Sequence, residues 1–377
     1  MNLYALAAFA IPAGYQLTAI AACLRRLGFK QCLSNYTPPV SILKPVLGAD
    51  SSFYEAIQSQ AQIDYPEYEI LFGVRNDNDS ALPFIRRLQV ESPGRSIQIV
   101  KTSTEAPNGK AGSLIDLERA ARYDTLVISD ADIKVPRDYL KNVIAPLEDP
   151  RNGLVTCLYR AHADTFAGRF EAIGVETDFA PSALVAPFVG VNEFAFGSTI
   201  AVRRADLARA GGFAAVADYI ADDYQIGKRI HALGLKCVLG EPVVDTHLGA
   251  ANFVEAWRHQ VRWARTIRVS RTGGFMGLFV TFATFWAMAL VLAGEPLLAA
   301  ALLSIRLLAA ALAGVGVMGS AQSARYFWLV PLRDVWSVLI WIAGLLPGSV
   351  EWRGMRLTLS ADGRILPVPS KKAKLTP

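Results

Sequence analysis

The chain of 377 residues predicts an α/β domain on a mostly parallel sheet, carried between membrane helices at its two ends. Three observations lead there. Apolar residues concentrate in 2–24 and again in 275–349; hydrophobic types make up 52% of the whole and mean hydropathy is +0.29. Between those stretches, from Pro38 to Arg271, short apolar runs alternate with amphipathic ones. Acidic residues then recur where the apolar runs stop. Strands alternating with helices build a parallel sheet covered on both faces.

The uncharged stretch 2–24 has the length of a bilayer-spanning helix. Arg25, Arg26 and Lys30 follow it, and basic residues after a span favour a cytoplasmic location for what comes next. A signal peptide would carry its positive charge on the other side. The same argument counts against a lipidation box at Cys23. Strands are expected at 40–46, 68–74, 96–102 and 125–129, with helices at 51–63, 81–92 and 110–123. Residues 198–204 read as a strand, and 205–213, 219–234 and 253–271 as helices. Three apolar segments follow, at 275–293, 296–319 and 335–352. The first reads as a strong span. Arg306 lies inside the second and is expected to face protein, water or a head group. The tail is basic, with Arg353, Arg356, Arg364, Lys371, Lys372 and Lys374, which favours a cytoplasmic C-terminus. One of the three segments is therefore expected not to cross, and 335–352, broken by Pro347, is the weakest. The division is thus an N-terminal helix at 1–30, a soluble domain at 38–271, membrane helices at 272–352 and a basic tail at 353–377.

Function concentrates at strand ends, where open α/β sheets bind ligands. Asp77 and Asp79 follow the strand 68–74, and Asp130 and Asp132 end 125–129. Like charges so close repel unless a cation sits between them. Two carboxylates there suit Mg²⁺ or Mn²⁺, hard ions that bridge to phosphates; the bland alternative is a pair of solvated turn residues. "PNGKAGSL" puts Gly109, Lys110 and Gly112 at a helix start, suited either to a phosphate or to an ordinary glycine turn. Asp222 and Asp223 open the helix in 219–234, as caps or as a general base. Arg258, Arg262 and Arg265 share one face of 253–271, and His259 and Trp263 are neighbours one turn apart. That helix suits anionic lipid, a diphosphate, or both.

Taken in order, "PPVSILKPVLGAD", "IDYPEYEILFGV", "NGKAGSL", "ISDADIKV", "GSTIAVRRADLARAGGF", "ADDYQIGKRI", "RWARTIR" and "EWRGMRL" resemble the ceramide glucosyltransferase family, which includes bacterial hopanoid-biosynthesis relatives. The resemblance implies a GT-A catalytic domain on the cytosolic face of a membrane, here a bacterial inner membrane, and inverting transfer of glucose or N-acetylglucosamine from a UDP-sugar to a lipid hydroxyl. It implies donor contacts by Asp77, Asp79, Lys110, Asp130, Asp132 and Arg262, with Asp130 and Asp132 on the metal. Asp223, with Asp222 beside it, takes the catalytic position. Trp263, His259, Gly197 and Ser198 fall on the acceptor side, and 175–190 lines the acceptor route. Two positions depart from the family pattern: His259 replaces Gln or Arg, and Asn76 replaces an aspartate.

Other classes fit less well. The net charge of +5 sits beside the membrane segments and calls for anionic lipid rather than nucleic acid. The four cysteines (23, 32, 157 and 237) have neither metal-like spacing nor a disulfide framework. A transporter would need more spans and a smaller polar middle, and a processive polysaccharide synthase would need a channel. A nucleotide-binding scaffold without activity would have no use for Asp223, Arg262 and Trp263 together.

Overall fold

A computed structural model describes residues 3–28, 34–352 and 355–366. The tail's Arg353, Lys371, Lys372 and Lys374, and Lys30 and Cys32 near the front, lie outside the described residues. Seven strands form the main sheet: β1 (Val40–Val46), β2 (Tyr68–Val74), β3 (Ser96–Lys101), β4 (Thr125–Ile128), β5 (Asn152–His162), β6 (Ile200–Arg203) and β7 (Lys236–His247). Their order is β3-β2-β1-β4-β6-β5-β7. The first four run parallel; β6 is antiparallel to β4 and β5, and β7 is parallel to β5. The four parallel strands were legible because each is a short apolar run. β5 and β7 were not expected: "NGLVTCLYRAH" and "KCVLGEPVVDTH" mix polar and apolar residues without a clean period.

β1 is buried along its whole length, and alternation sorts its side chains between two cores. Ile42 and Val46 pack with Phe53, Ile57 and Phe72 on one face. Leu43 packs with Leu114, Leu126 and Phe213 on the other. Lys44 is fully buried within this strand, and its ammonium donates to the Asp130 carbonyl at 2.8 Å and to Ser129 Oγ at 3.2 Å. The β4 terminus is thereby pinned against β1.

Among the described residues three helices are long and apolar enough to cross a membrane: Leu3–Leu27, Pro296–Val317 and Phe327–Leu345. Thr272–Thr281 and Ala283–Leu292 form a fourth, broken element, bent by 53°. Two segments differ in shape from the expectation. The stretch 275–293 is not one straight helix, because Phe282 leaves the helical region (φ −78°, ψ 66°). The stretch 335–352 belongs to a longer helix that starts at Phe327, ends at Leu345 and is followed by a strand. Arg333 and Asp334 interrupt the apolar run just before 335. Asp334 is in fact 2% exposed and paired with Arg306 at 2.6 Å. Arg306 also meets Asp178 at 2.5 Å and donates to the Thr177 carbonyl, so it faces protein, as expected. Alanines let these helices approach closely: Ala19 and Ala22 pack with Ala180, Ala183, Ala309 and Ala313.

The segment expected as a basic tail carries structure. Val350–Trp352, Met355–Leu359 and Ile365–Leu366 form a small antiparallel sheet. Val350, Leu357 and Ile365 pack on Ile220, and the backbone N–H of Ile220 donates to the Gly363 carbonyl. The C-terminal sheet therefore covers the loop that leads into Asp222 and Asp223.

Candidate active site

The ends of β1, β4 and β7, the loop before β6 and the helices Asp222–Ala232 and Phe253–Ser270 enclose an open cavity of 750 Å³. Ten of the residues expected at the site line it: Lys110, Asp130, Asp132, Gly197, Ser198, Asp222, Asp223, His259, Arg262 and Trp263. They come from five separate parts of the chain.

One wall is electrostatic. Lys110 Nζ lies 2.7 Å from Asp130 Oδ1 and 3.6 Å from Asp222 Oδ2. Burial works against its charge, but Asp130, Asp222 and Asp223 outweigh it and push its pKa up. The backbone cradle considered for this helix start is otherwise engaged: Asn108 Oδ1 accepts from the N–H groups of Lys110 and Ala111 at 3.0 and 3.2 Å. Asn108 Nδ2 reaches the Tyr219 carbonyl and Asp222 Oδ1, which ties the helix to the acidic loop. Asp132 accepts from Thr246 Oγ1 at 2.6 Å, and burial followed by the charge of Asp130 pushes its carboxyl up. Burial pulls Lys44, beneath this loop, down to about 8.

Asp223 faces them. Its Oδ2 accepts from the Gly197 N–H at 2.9 Å, and its Oδ1 from the Tyr224 N–H at 2.7 Å. Burial, then the neighbouring Asp222, push it up to about 6. Gly197 leaves room for the charged pair: a Cβ there would stand 2.9 Å from Asp130 Oδ2 and 3.0 Å from Lys110 Nζ and would force these side-chain ends to shift. Ser198 lines the cavity with its hydroxyl turned inward to the Cys157 carbonyl, at 3.2 Å. His259 and Trp263 stack with centroids 4.3 Å apart, as their one-turn spacing requires.

Several expectations need correction. Asp77 and Asp79 are not among the lining residues. Asp77 is largely exposed and paired with Lys101. Asp79 is 9% exposed and its two oxygens accept from the Gly48 N–H, each at 3.0 Å. Gly48 has φ 72° and lines the cavity, so Asp79 shapes the wall through it. The three arginines expected on one face of Phe253–Ser270 also part company. Arg262 reaches the cavity, Arg265 donates to the Ser349 carbonyl at 2.6 Å, and Arg258 is exposed. The sequence had not marked Tyr159, Thr246 and His247, which β5 and β7 bring to the cavity. Only recognition of those two strands would have found them.

The family model for glycosyl transferase family 21 matches residues 4–365. The chain belongs to that family. This family 21 glycosyltransferase is 25% identical to ceramide glucosyltransferase 1 of Caenorhabditis elegans, over 87% of its own length and 73% of that protein's. It is 23% identical to a beta-monoglucosyldiacylglycerol synthase of Synechocystis sp., over 60% of its length and 47% of the relative's. Among solved structures, the Pyrobaculum calidifontis mannosyltransferase in complex with GDP-Man and Mn²⁺ shares the fold, with a TM-score of 0.57 and 23% identity over 90% of this chain and 96% of that one. The family and the fold make this chain a GT-A enzyme that transfers a sugar.

The donor set fits a divalent cation. Asp130 and Asp132 offer carboxylate oxygens on one loop lining the cavity, and Asp132 is buried against a like charge. Among the described residues no group of three or more His, Cys, Asp or Glu side chains is arranged as a complete metal cage. A pair of carboxylates with the remaining positions left to phosphate oxygens and water is the way Mg²⁺ is ordinarily held.

Proposed function

We propose that this glycosyltransferase moves a hexosyl group, glucose or N-acetylglucosamine, from a UDP-sugar to a hydroxyl of a ceramide-like membrane lipid, with inversion. One observation carries this: the charged cavity shares Trp263 with a mostly apolar cavity set against one membrane-length helix, Phe327–Leu345, and the bent element that starts at Thr272. A water-soluble donor and a lipid acceptor can therefore meet at one side chain. The relatives named for glucosyl transfer to ceramide and to diacylglycerol support a lipid acceptor.

Mg²⁺ or Mn²⁺ on Asp130 and Asp132 would neutralise the diphosphate as it leaves. Lys110 and Arg262 add fixed positive charge on the same wall, where charge builds on the departing UDP. Asp223 takes the proton of the acceptor hydroxyl while that oxygen bonds to the anomeric carbon. The bond from that carbon to the diphosphate oxygen breaks, and UDP carries away the electron pair. A pKa of about 6 leaves Asp223 ionised at neutral pH yet basic enough to accept a proton. The Gly197 N–H holds its Oδ2 in place.

The membrane arrangement follows the same reading. With Leu3–Leu27, Pro296–Val317 and Phe327–Leu345 crossing and the bent pair not crossing, the catalytic domain and the C-terminus both lie on the cytosolic side, where UDP-sugars and basic residues belong. Detergent-solubilised enzyme should release UDP from UDP-glucose or UDP-N-acetylglucosamine only when a hydroxylated lipid is added. Mass spectrometry of the lipid should show one added hexose or N-acetylhexosamine. UDP release independent of any lipid would refute the acceptor assignment.

A further inference from the structure

The second cavity, of 180 Å³, lies among the helix Phe253–Ser270, the bent segment 166–188 and the helix Phe327–Leu345. Three polar side chains interrupt its apolar lining: Glu171 is 1% exposed, Gln260 4% and Arg333 7%. Each holds a buried polar atom with no hydrogen-bond partner, namely Glu171 Oε2, Gln260 Nε2 and Arg333 Nε. Their other atoms are engaged. Glu171 Oε1 meets His259 Nδ1 at 2.5 Å, Gln260 Oε1 accepts from Trp336 Nε1 at 3.1 Å, and Arg333 donates to Ser337 Oγ at 3.0 Å. An unmet buried polar atom costs ~1–3 kcal/mol, more when charged. Three of them around one small cavity call for a ligand that completes them.

The volume says how much of a ligand fits. At ~30 Å³ for each water-sized unit, the cavity takes a head group and its first carbons but not two acyl chains. Trp263 lines this cavity and the donor cavity alike, and His259 links Glu171 to the donor side.

We propose that this cavity seats the polar head of the lipid acceptor, and that Glu171 Oε2 selects lipids carrying an N–H or O–H donor in addition to the hydroxyl that reacts; this rests on the lipid-acceptor function proposed above. A carboxylate oxygen only accepts. Diacylglycerol has one hydroxyl, which is consumed in the reaction, and ester oxygens, which also only accept. It leaves Glu171 unmet. A ceramide brings an amide N–H and a second hydroxyl, and a polyhydroxylated hopanoid brings further hydroxyls. Gln260 Nε2 and Arg333 Nε then donate to the oxygen atoms of the same head group.

The test uses the full chain in detergent with Mn²⁺ and either UDP-glucose or UDP-N-acetylglucosamine. Ceramide, a polyhydroxylated hopanoid and diacylglycerol of matched solubility are compared by kcat/KM. The wild type should favour at least one donor-bearing lipid over diacylglycerol by ~10-fold or more, as expected for one unmet buried group. Glu171→Gln places an amide where the carboxylate was. It should reduce that preference at least several-fold, mainly through KM of the donor-bearing lipid. Diacylglycerol used as well as the other lipids by the wild type overturns the inference without recourse to any variant. So does a Glu171→Gln enzyme that loses all lipids in the same proportion. UDP release with none of the lipids would instead strike the lipid-acceptor function itself, and this inference with it.

Discussion

In the proposed mechanism Asp223, as the general base, carries the heaviest chemical load at the level of single residues. Its replacement by Asn keeps the Gly197 contact but removes the proton acceptor. Transfer should fall by ~10²–10⁴-fold, the range for a lost general base. UDP-sugar affinity, read by titration calorimetry, should stay close to that of the wild type. The pH profile follows from the raised carboxyl. Asp223 is a base only when ionised, so kcat/KM should rise with pH through about 6 and level off above it. In Asp223→Asn that rising limb should vanish from whatever activity remains. Gly197→Ala tests the crowding: its methyl group must displace Asp130 Oδ2 or Lys110 Nζ, so activity should drop although the backbone needs no unusual φ there.

Among elements, the membrane helices are joined by charge as well as by packing. Arg306 on Pro296–Val317 and Asp334 on Phe327–Leu345 form a buried pair, with Thr284 Oγ1 donating to Asp334 Oδ2 at 2.7 Å. Removing one partner leaves a buried charge unmatched. Arg306→Met alone should destabilise the protein by ~3–5 kcal/mol. The double change Arg306→Met with Asp334→Leu should recover only part of that loss, since Asp178 then lacks its Arg306 partner. Thermal unfolding in one detergent compares them. The start of the helix Gly109–Ala120 offers a smaller case. Asn108→Ala removes a cap worth ~1 kcal/mol and also frees Asp222 and Lys110 to shift. Its effect on rate should therefore exceed its effect on stability.

The whole molecule is a charged catalytic domain set against helices of membrane length. Residues far apart in sequence meet there: Lys110, Asp130, Gly197, Asp223 and Trp263 belong to separate parts of the chain around one opening. The proposed three crossings would put the C-terminal sheet on the same side of the membrane as the catalytic loop, which its contact to Ile220 requires. A membrane-impermeant thiol reagent on intact cells should fail to label a cysteine introduced at Asp362, an exposed turn, until the cells are opened. Labelling of intact cells would reverse the orientation. Removal of divalent ions by chelation should abolish transfer, and added Mg²⁺ or Mn²⁺ should restore it.

Much of this was legible before any fold was known. Apolar runs marked the parallel strands, most clearly β1, β2 and β4, because a strand buried on both faces has no room for polar residues except where they are paired, as Lys44 is. The acidic pair Asp130 and Asp132 after β4, Asp222 and Asp223 at a helix start, and the one-turn spacing of His259 and Trp263 identified much of the cavity, since ligands in such sheets collect at one edge. Other features depend on partners distant in sequence. Asp334 reads as a surface charge until Arg306 is placed beside it. Asp79 reads as a ligand until both its oxygens are found on the Gly48 N–H. Glu171 sits in a stretch with no motif, and only the packing of three helices makes it a buried carboxylate with one oxygen unmet. Local periodicity follows from each residue and its neighbours along the chain. Burial, pairing and the shape of a cavity follow from elements that meet only when the chain is folded.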